Sequence, residues 1–362
     1  MLCWKTGFEI ELMAPRGASR ADLARAVAAK HGGSVRRVFH QQAEPSKAGG
    51  RPVFKNLTLG FEALDAEGAL IARFVDDLTL QADCEREVAP KPGWHRIVAD
   101  DARLLRLVER QCDAEAPLER VLEPLADLFG TPLERHPSGM VRVVDDRGQS
   151  VALGAPLPGE RERPCEIVTP PLARDHEIVL SQLLEDARAL GFTAPREGAT
   201  HIHFDAAPLC SAPVIARLMR VLARHGEGLK RLVGSNPHCV RLGPWPQAAL
   251  DLAHSEAFRA MDWEQARAAL AETRLSKYCD YNLLNLARAD RAKHTFEVRV
   301  LPTFLEPAPI LEAAALFEAL LVWCCETASD QAVFPDALSG LIAALPLAPA
   351  ARAEWAQKAA CL

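Results

Sequence analysis

The sequence predicts an α+β protein in which helices pack on one face of a mainly antiparallel sheet. Several short segments alternate strictly between apolar and polar residues, the pattern of a strand with one face in a core. Long stretches with helical periodicity lie between runs of such strands. With 362 residues, 49% of them apolar and 25% charged, the chain is long enough to bury a sizeable core in one large domain or two.

Gly7 to Met13 reads as the first strand, with Phe8, Ile10 and Leu12 on one face and Glu9 and Glu11 on the other. Ser19 is placed to cap a helix over Arg20 to Lys30 that Gly32-Gly33 stops. Strands follow at Val35–His40, Val53–Glu62 and Ala69–Val75, with a hairpin turn at Leu64–Gly68 and then Asp76-Asp77-Leu78-Thr79-Leu80. Lys91-Pro92-Gly93 precedes a long helical stretch, Ile97 to Phe129, interrupted at Pro117. Gly139 to Leu153 reads as a small hairpin, Pro156 to Pro164 as a loop, and Arg163 to Val168 as a short strand ended by Pro170-Pro171. A helix is expected over Asp175–Leu190, a strand over Thr200–Asp205, and a helix from Ser211 to about Val233. A Gly-, Pro- and Asn-rich loop spans Gly234 to Pro246, and two short helices fill Gln247 to Ala271. Cys279–Ala287 and Ala292–Leu301 are expected to pair as a hairpin, and the chain from Pro307 onward is helical.

Composition narrows the function classes. A net charge of -6 with dispersed basic residues asks for neither nucleic acid nor an anionic membrane. The ten cysteines show no Cys-x-x-Cys spacing, which argues against a zinc ribbon or a disulfide scaffold. The first residues do not read as a signal peptide, and Ala308–Cys325, interrupted by Glu312 and Glu318, reads as a buried helix; a cytoplasmic location is expected.

The chemistry lies on the polar faces of the alternating strands. These carry Glu9 and Glu11, then Glu166, then His201 and His203, then Glu297 and Arg299. Singly, each pattern most often marks a solvated face, and Glu297 beside Arg299 reads first as surface decoration. Together on one sheet face they would repel one another and be costly to bury, and divalent cations would remove both costs. Oxygen donors with one or two imidazoles and no thiolate favour magnesium or manganese over zinc. Magnesium among carboxylates takes phosphate as a further ligand, and Arg299 would neutralise a transferring phosphoryl group. The chain has neither a P-loop nor a dinucleotide-binding Gly-x-Gly-x-x-Gly.

Gly7-Phe-Glu-Ile-Glu-Leu12, Glu166-Ile-Val-Thr-Pro-Pro-Leu172, His201-Ile-His203 and Phe296-Glu-Val-Arg299, in this order, resemble the amidoligase family of carboxylate–amine ligases. Asp77-Leu-Thr-Leu80 and Asn282-Leu-Leu-Asn285 are similar to elements of that family too. The resemblance implies the catalytic fold of glutamine synthetase and glutamate–cysteine ligase, a curved antiparallel sheet with helices on its outer face. It implies ATP and magnesium ions on the concave face, with Glu9, Glu11, Glu166, His201 and Glu297 as metal ligands. His203 would contact the nucleotide, Arg299 would hold the γ-phosphoryl group or acyl phosphate, and Asp77 would help to deprotonate the amine. Ala199-Thr200 stands where relatives commonly have Gly before His-x-His.

The expected reaction is ATP-dependent, ADP-forming amide synthesis through an acyl phosphate, with small-molecule or peptide carboxylates and amines as substrates. Arg231, Asn236, His238, Arg241, Asn282 and Asn285 are candidate substrate contacts, against an ordinary polar loop as the alternative for the first four. Residues 1–328 are expected to form the catalytic domain, with 104–159 as an insertion and 329–362 as a helical extension. Phosphotransfer to a guanidino group on the same fold, or a zinc hydrolase using His201 and His203, are the competing readings.

Overall fold

A computed structural model describes residues 2–43, 55–99, 101–239, 241–288, 293–326 and 334–362. The strands are β1 (Thr6–Met13), β2 (Ser34–Ala43), β3 (Lys55–Leu64), β4 (Leu70–Val75), β5 (His95–Ala99) and β6 (Glu134–Arg135). They continue with β7 (Val141–Val144), β8 (Ser150–Pro156), β9 (Pro164–Val168), β10 (Ala199–Asp205), β11 (Tyr281–Asn282) and β12 (Thr295–Pro302). Twelve α-helices accompany them among the described residues. The protein is a mixed α/β structure in which the pairs β1–β10, β10–β12, β11–β12, β2–β3, β3–β4, β3–β5, β4–β9, β5–β8, β6–β7 and β7–β8 are antiparallel.

The chain forms two compact units. One comprises Met1–Ile10, Pro171–Ser181 and Gly198–Leu362, the other Glu11–Pro170 and Gln182–Glu197. The chain passes between them inside β1, so Glu9 and Glu11 belong to different units.

In the first unit the strand order is β11-β12-β10-β1. The alternation sets its faces: Phe8, Ile10, Ile202, Phe204, Phe296 and Val298 are at most 1% exposed. The helix Pro307–Glu326 packs on β10 and β12, and the helix Ala212–Leu232 packs on that helix. Pro307–Glu326 is long and apolar enough to cross a membrane by length and composition, with 61% of its apolar window buried. Its buried Glu318 accepts the backbone N–H groups of Cys3 and Trp4, both at 2.6 Å, and so fixes the entry to β1. The helices Leu338–Ala344 and Pro349–Ala360 lie against Ala212–Leu232.

In the second unit β3 is central: β2 runs along one side, and β4 and β5 share the other. Leu57 and Leu59 of β3 join Leu105, Val108, Val121 and Leu122 from the helices Ala102–Gln111 and Leu118–Phe129 in one buried cluster. Residues 104–159 are built into this unit, with β8 paired to both β5 and β7. The helix Arg20–Lys30 starts as expected at Ser19, whose N–H and hydroxyl both donate to Asp22 (2.8 and 2.7 Å). Arg20 is wholly buried, stacked over Trp94 at 4.6 Å, and donates to the carbonyls of Leu59, Arg161 and Pro164.

Three local expectations are corrected. Ile97 begins no helix: β5 occupies His95–Ala99, and Asp101 caps the helix that follows by accepting the N–H of Arg103. Gln247–Glu272 holds three helices rather than two, because Ser255 and Asp262 each cap a new one. Cys279–Ala287 is not a full strand. Tyr281 and Asn282 pair with Val298 and Glu297, but the Asn282 side-chain Oδ1 then accepts the N–H of Leu284 and starts the helical turn Leu284–Ala287.

Candidate active site

Register assembles the polar cluster of the first unit. Glu9 lies opposite His201, and Glu297 lies opposite His203 on one side and Asn282 on the other. Between Thr200 and Ile202 the pairing advances from Leu301 to Val298, so β12 carries one residue more than β10 there. That bulge falls at Arg299–Val300 beside His201, where a bulge re-aims a side chain.

The contacts are close. His201 Nδ1 is 3.2 Å and His203 Nε2 3.1 Å from the two oxygens of Glu9. The same ring nitrogens are 3.7 and 3.8 Å from Glu297 Oε1. Arg299 donates to Glu297 Oε1 and Asn282 donates to Glu297 Oε2, each at 2.6 Å. Thr295 Oγ1 sits 3.2 Å from His203 Nδ1 and accepts from Asn285 at 3.2 Å. His201, His203, Glu297, Arg299 and Asn282 are all buried.

Burial works against the charge on Glu9, yet the charges of His203 and Lys293 and hydrogen bonds with both histidines hold its pKa well below the usual carboxylate range. Burial likewise opposes ionisation of Glu297, and His203 and Arg299 outweigh it and keep the carboxyl ionised. Burial, then the charge of Arg299, pushes the pKa of His201 down. Two carboxylates and a neutral imidazole are the protonation states that ligate a cation. Glu9, His201 and Glu297 each offer one ligand atom, all within 4.8 Å of one another, which suits a single divalent ion.

In the second unit Glu11 and Glu166 are buried, with carboxylate oxygens within 4.8 Å of each other. Like charges so placed in a low dielectric favour a cation between them. Glu166 pairs with Val75 at the end of β4, two residues before Asp77. Asp77 is buried, and its Oδ1 accepts the N–H and the hydroxyl of Thr79 at 2.7 and 2.6 Å.

The remaining candidates lie in the first unit. Arg231 is exposed near the end of the helix Ala212–Leu232. Asn236 donates to the carbonyl of Gly198 and accepts the N–H of His238, which braces the loop. Arg241 lies over the ring of Tyr278 at 4.9 Å. One cluster residue escaped the sequence reading: Lys293, whose Nζ is 3.0 Å from Glu9 Oε1. It shares the parity of Thr295, Glu297 and Arg299, so extending the alternation two residues backwards would have found it.

The strands bring buried carboxylates, imidazoles and an arginine together in groups that could hold a metal ion. Residues 3–321 match the family described as "putative amidoligase enzyme", and the chain belongs to the amidoligase family. No curated protein and no solved structure matches the chain. The family is one of ligase-type enzymes.

Proposed function

We propose that the protein is an ATP-dependent carboxylate–amine ligase, ADP-forming, built on a sheet of the glutamine synthetase catalytic type. The observation that supports this most is the Glu9–His201–Glu297 cluster with Arg299 on the same strand as Glu297. A cation site next to an oriented guanidinium suits phosphoryl transfer to a carboxylate.

A substrate carboxylate oxygen attacks the γ-phosphorus of ATP, and the bond to the bridging oxygen of ADP breaks. The amine nitrogen then attacks the acyl carbon, phosphate leaves, and the amine proton is taken up. Glu9, His201 and Glu297, and Glu11 and Glu166, would hold magnesium, which would supply neutralisation of phosphate charge. Arg299, fixed by Glu297 at 2.6 Å, presents its guanidinium to the transferring group. His203, oriented through Nδ1 by Thr295, contacts the nucleotide. Asp77, its Oδ1 oriented by Thr79, is the acceptor of the amine proton.

The test is ADP and phosphate release on adding pairs of carboxylates and amines with magnesium. Release above background for one pair supports the reading, and background release across a broad panel, from protein shown to bind ATP, overturns it. A phosphorylated guanidino product without free phosphate would instead identify a phosphotransferase. Bound zinc with no ATP binding would identify a hydrolase.

A further inference from the structure

Arg96 and Arg86 of the second unit have no acidic partner among the described residues. Arg96 stands half-buried on β5, opposite Thr58 of β3 and Ala155 of β8. Arg86 lies in the loop between β4 and β5. Among the described residues neither side chain makes an ion pair or a hydrogen bond. Both line one pocket of about 330 Å³, with Leu78, Leu157 and Pro158 as apolar walls and Arg161 at its side. Arg161 is already engaged: it donates to Asp76, to the Leu80 carbonyl and, at 2.8 Å, to the Asp77 carbonyl.

The pocket wall is a built loop. Gly159, at φ 69°, donates its N–H to Val88 and approaches the backbone of Arg86. Glu160 holds φ 59° while accepting from the N–H of Glu85 and from Arg163. Arg96 is half-buried without a counter-ion, a state that a bidentate carboxylate stabilises, and the exposed Arg86 adds a second guanidinium to the same lining. The pocket also adjoins the Asp77 turn, since Leu78 lines it and Arg161 holds the Asp77 carbonyl.

We infer that this pocket takes the carboxylate of the amine substrate, so that the amine is an amino acid or a similar zwitterion rather than ammonia or a neutral amine. The inference rests on the ligase reading through Asp77 as acceptor of the amine proton. Arg96 and Arg86 grip the carboxylate, and Leu78, Leu157 and Pro158 cover the apolar part of the ligand.

Ligand-observed NMR on the full chain without ATP tests it, using the common L-amino acids, the C-terminal amide of each, and inorganic phosphate. At least one amino acid is expected to bind, with its amide weaker by about tenfold and with a similar loss in Arg86→Gln and Arg96→Gln. Arg96→Lys is expected to restore part of the binding. Arg86 is exposed, so Arg86→Gln keeps the test decisive if the half-buried Arg96 variant does not fold. Amides that bind as well as acids, or binding unchanged in Arg86→Gln and Arg96→Gln, would overturn the inference. So would phosphate binding with the same arginine dependence while no amino acid binds. Failure of the ligase reading shows separately, as absent ADP release with amino-acid binding intact. ADP release as fast with ethylamine as with any amino acid would sink this inference and leave the ligase standing.

Discussion

Arg299 donates to Glu297 Oε1 at 2.6 Å from a position two residues along the same strand, with both side chains buried. Strand alternation puts the two on one face, and the bulge at Arg299–Val300 sets the approach of the guanidinium. Asn282 holds the other carboxylate oxygen at 2.6 Å. Glu297 is therefore a fixed, ionised carboxylate rather than a mobile surface acid.

Removing that charge should separate chemistry from folding. Glu297→Gln keeps the shape and an oxygen acceptor for Arg299, and is expected to lose ATP turnover by about 100-fold or more. Glu297→Ala leaves the buried guanidinium of Arg299 without its carboxylate and is expected to lose about 3 kcal/mol of stability as well. ADP release and urea unfolding of both variants check this. Wild-type turnover in Glu297→Gln would leave the pair a buried structural ion pair with no part in the chemistry.

The strands that carry this cluster were legible because their apolar face is continuous. Phe8 and Ile10, Ile202 and Phe204, and Phe296 and Val298 leave one register open, and that register exposes Glu9, His201 and Glu297 to one another. What stayed hidden depends on partners far along the chain. Arg20 opens the expected helix, and nothing local shows that it is buried, because its acceptors are the carbonyls of Leu59, Arg161 and Pro164. Asn282 reads as a strand residue, and its side chain ends the strand by accepting the N–H of Leu284. The metal candidates follow from period-two alternation; the Arg86–Arg96 pocket does not, because one of its arginines sits on a loop.

Acid should weaken the second unit through His95. Burial, then the charge of Arg37, lowers its pKa from 6.5 to about 4, and its Nε2 has no hydrogen-bond partner among the described residues. The folded pKa lies below the unfolded one, so between pH 6.5 and 4 the unfolded state binds more protons. Stability from this residue is thus complete above pH 6.5 and is lost as pH falls towards 4. The loss is on the order of 3 kcal/mol at most. Urea unfolding at several pH values should show that slope in the wild type and a reduced one in His95→Phe. Equal slopes would count against it.

Glu318 should matter through one oxygen. Its Oε1 accepts both N–H groups that lead into β1, from Cys3 and Trp4 at 2.6 Å. Glu318→Gln still offers a carbonyl oxygen there and is expected to cost about 1 kcal/mol. Glu318→Leu removes the acceptor from two donors and is expected to cost about 2–4 kcal/mol. Hydrogen exchange at Cys3 and Trp4 should rise much more in Glu318→Leu than in Glu318→Gln, and equal protection in the two would refute the tether.

Two glycines separate backbone conformation from space. Gly148 holds φ 75° in the turn between β7 and β8, and a methyl group added there meets nothing within 4 Å. Gly148→Ala should therefore carry only the left-handed penalty, about 1 kcal/mol. Gly159 holds φ 69°, and an added Cβ would lie 3.0 Å from Arg86 Cα and 3.2 Å from the carbonyl oxygens of Arg86 and Glu85. These neighbours are backbone, so the loop must move. Gly159→Ala is expected to cost about 2–3 kcal/mol and to displace Arg86 from its pocket. Urea unfolding reads the first effect and amino-acid binding by NMR the second. Binding lost in Gly159→Ala and kept in Gly148→Ala is the expected pattern, because only Gly159 bears on the backbone that carries Arg86; equal behaviour of the two variants would remove that loop from the account.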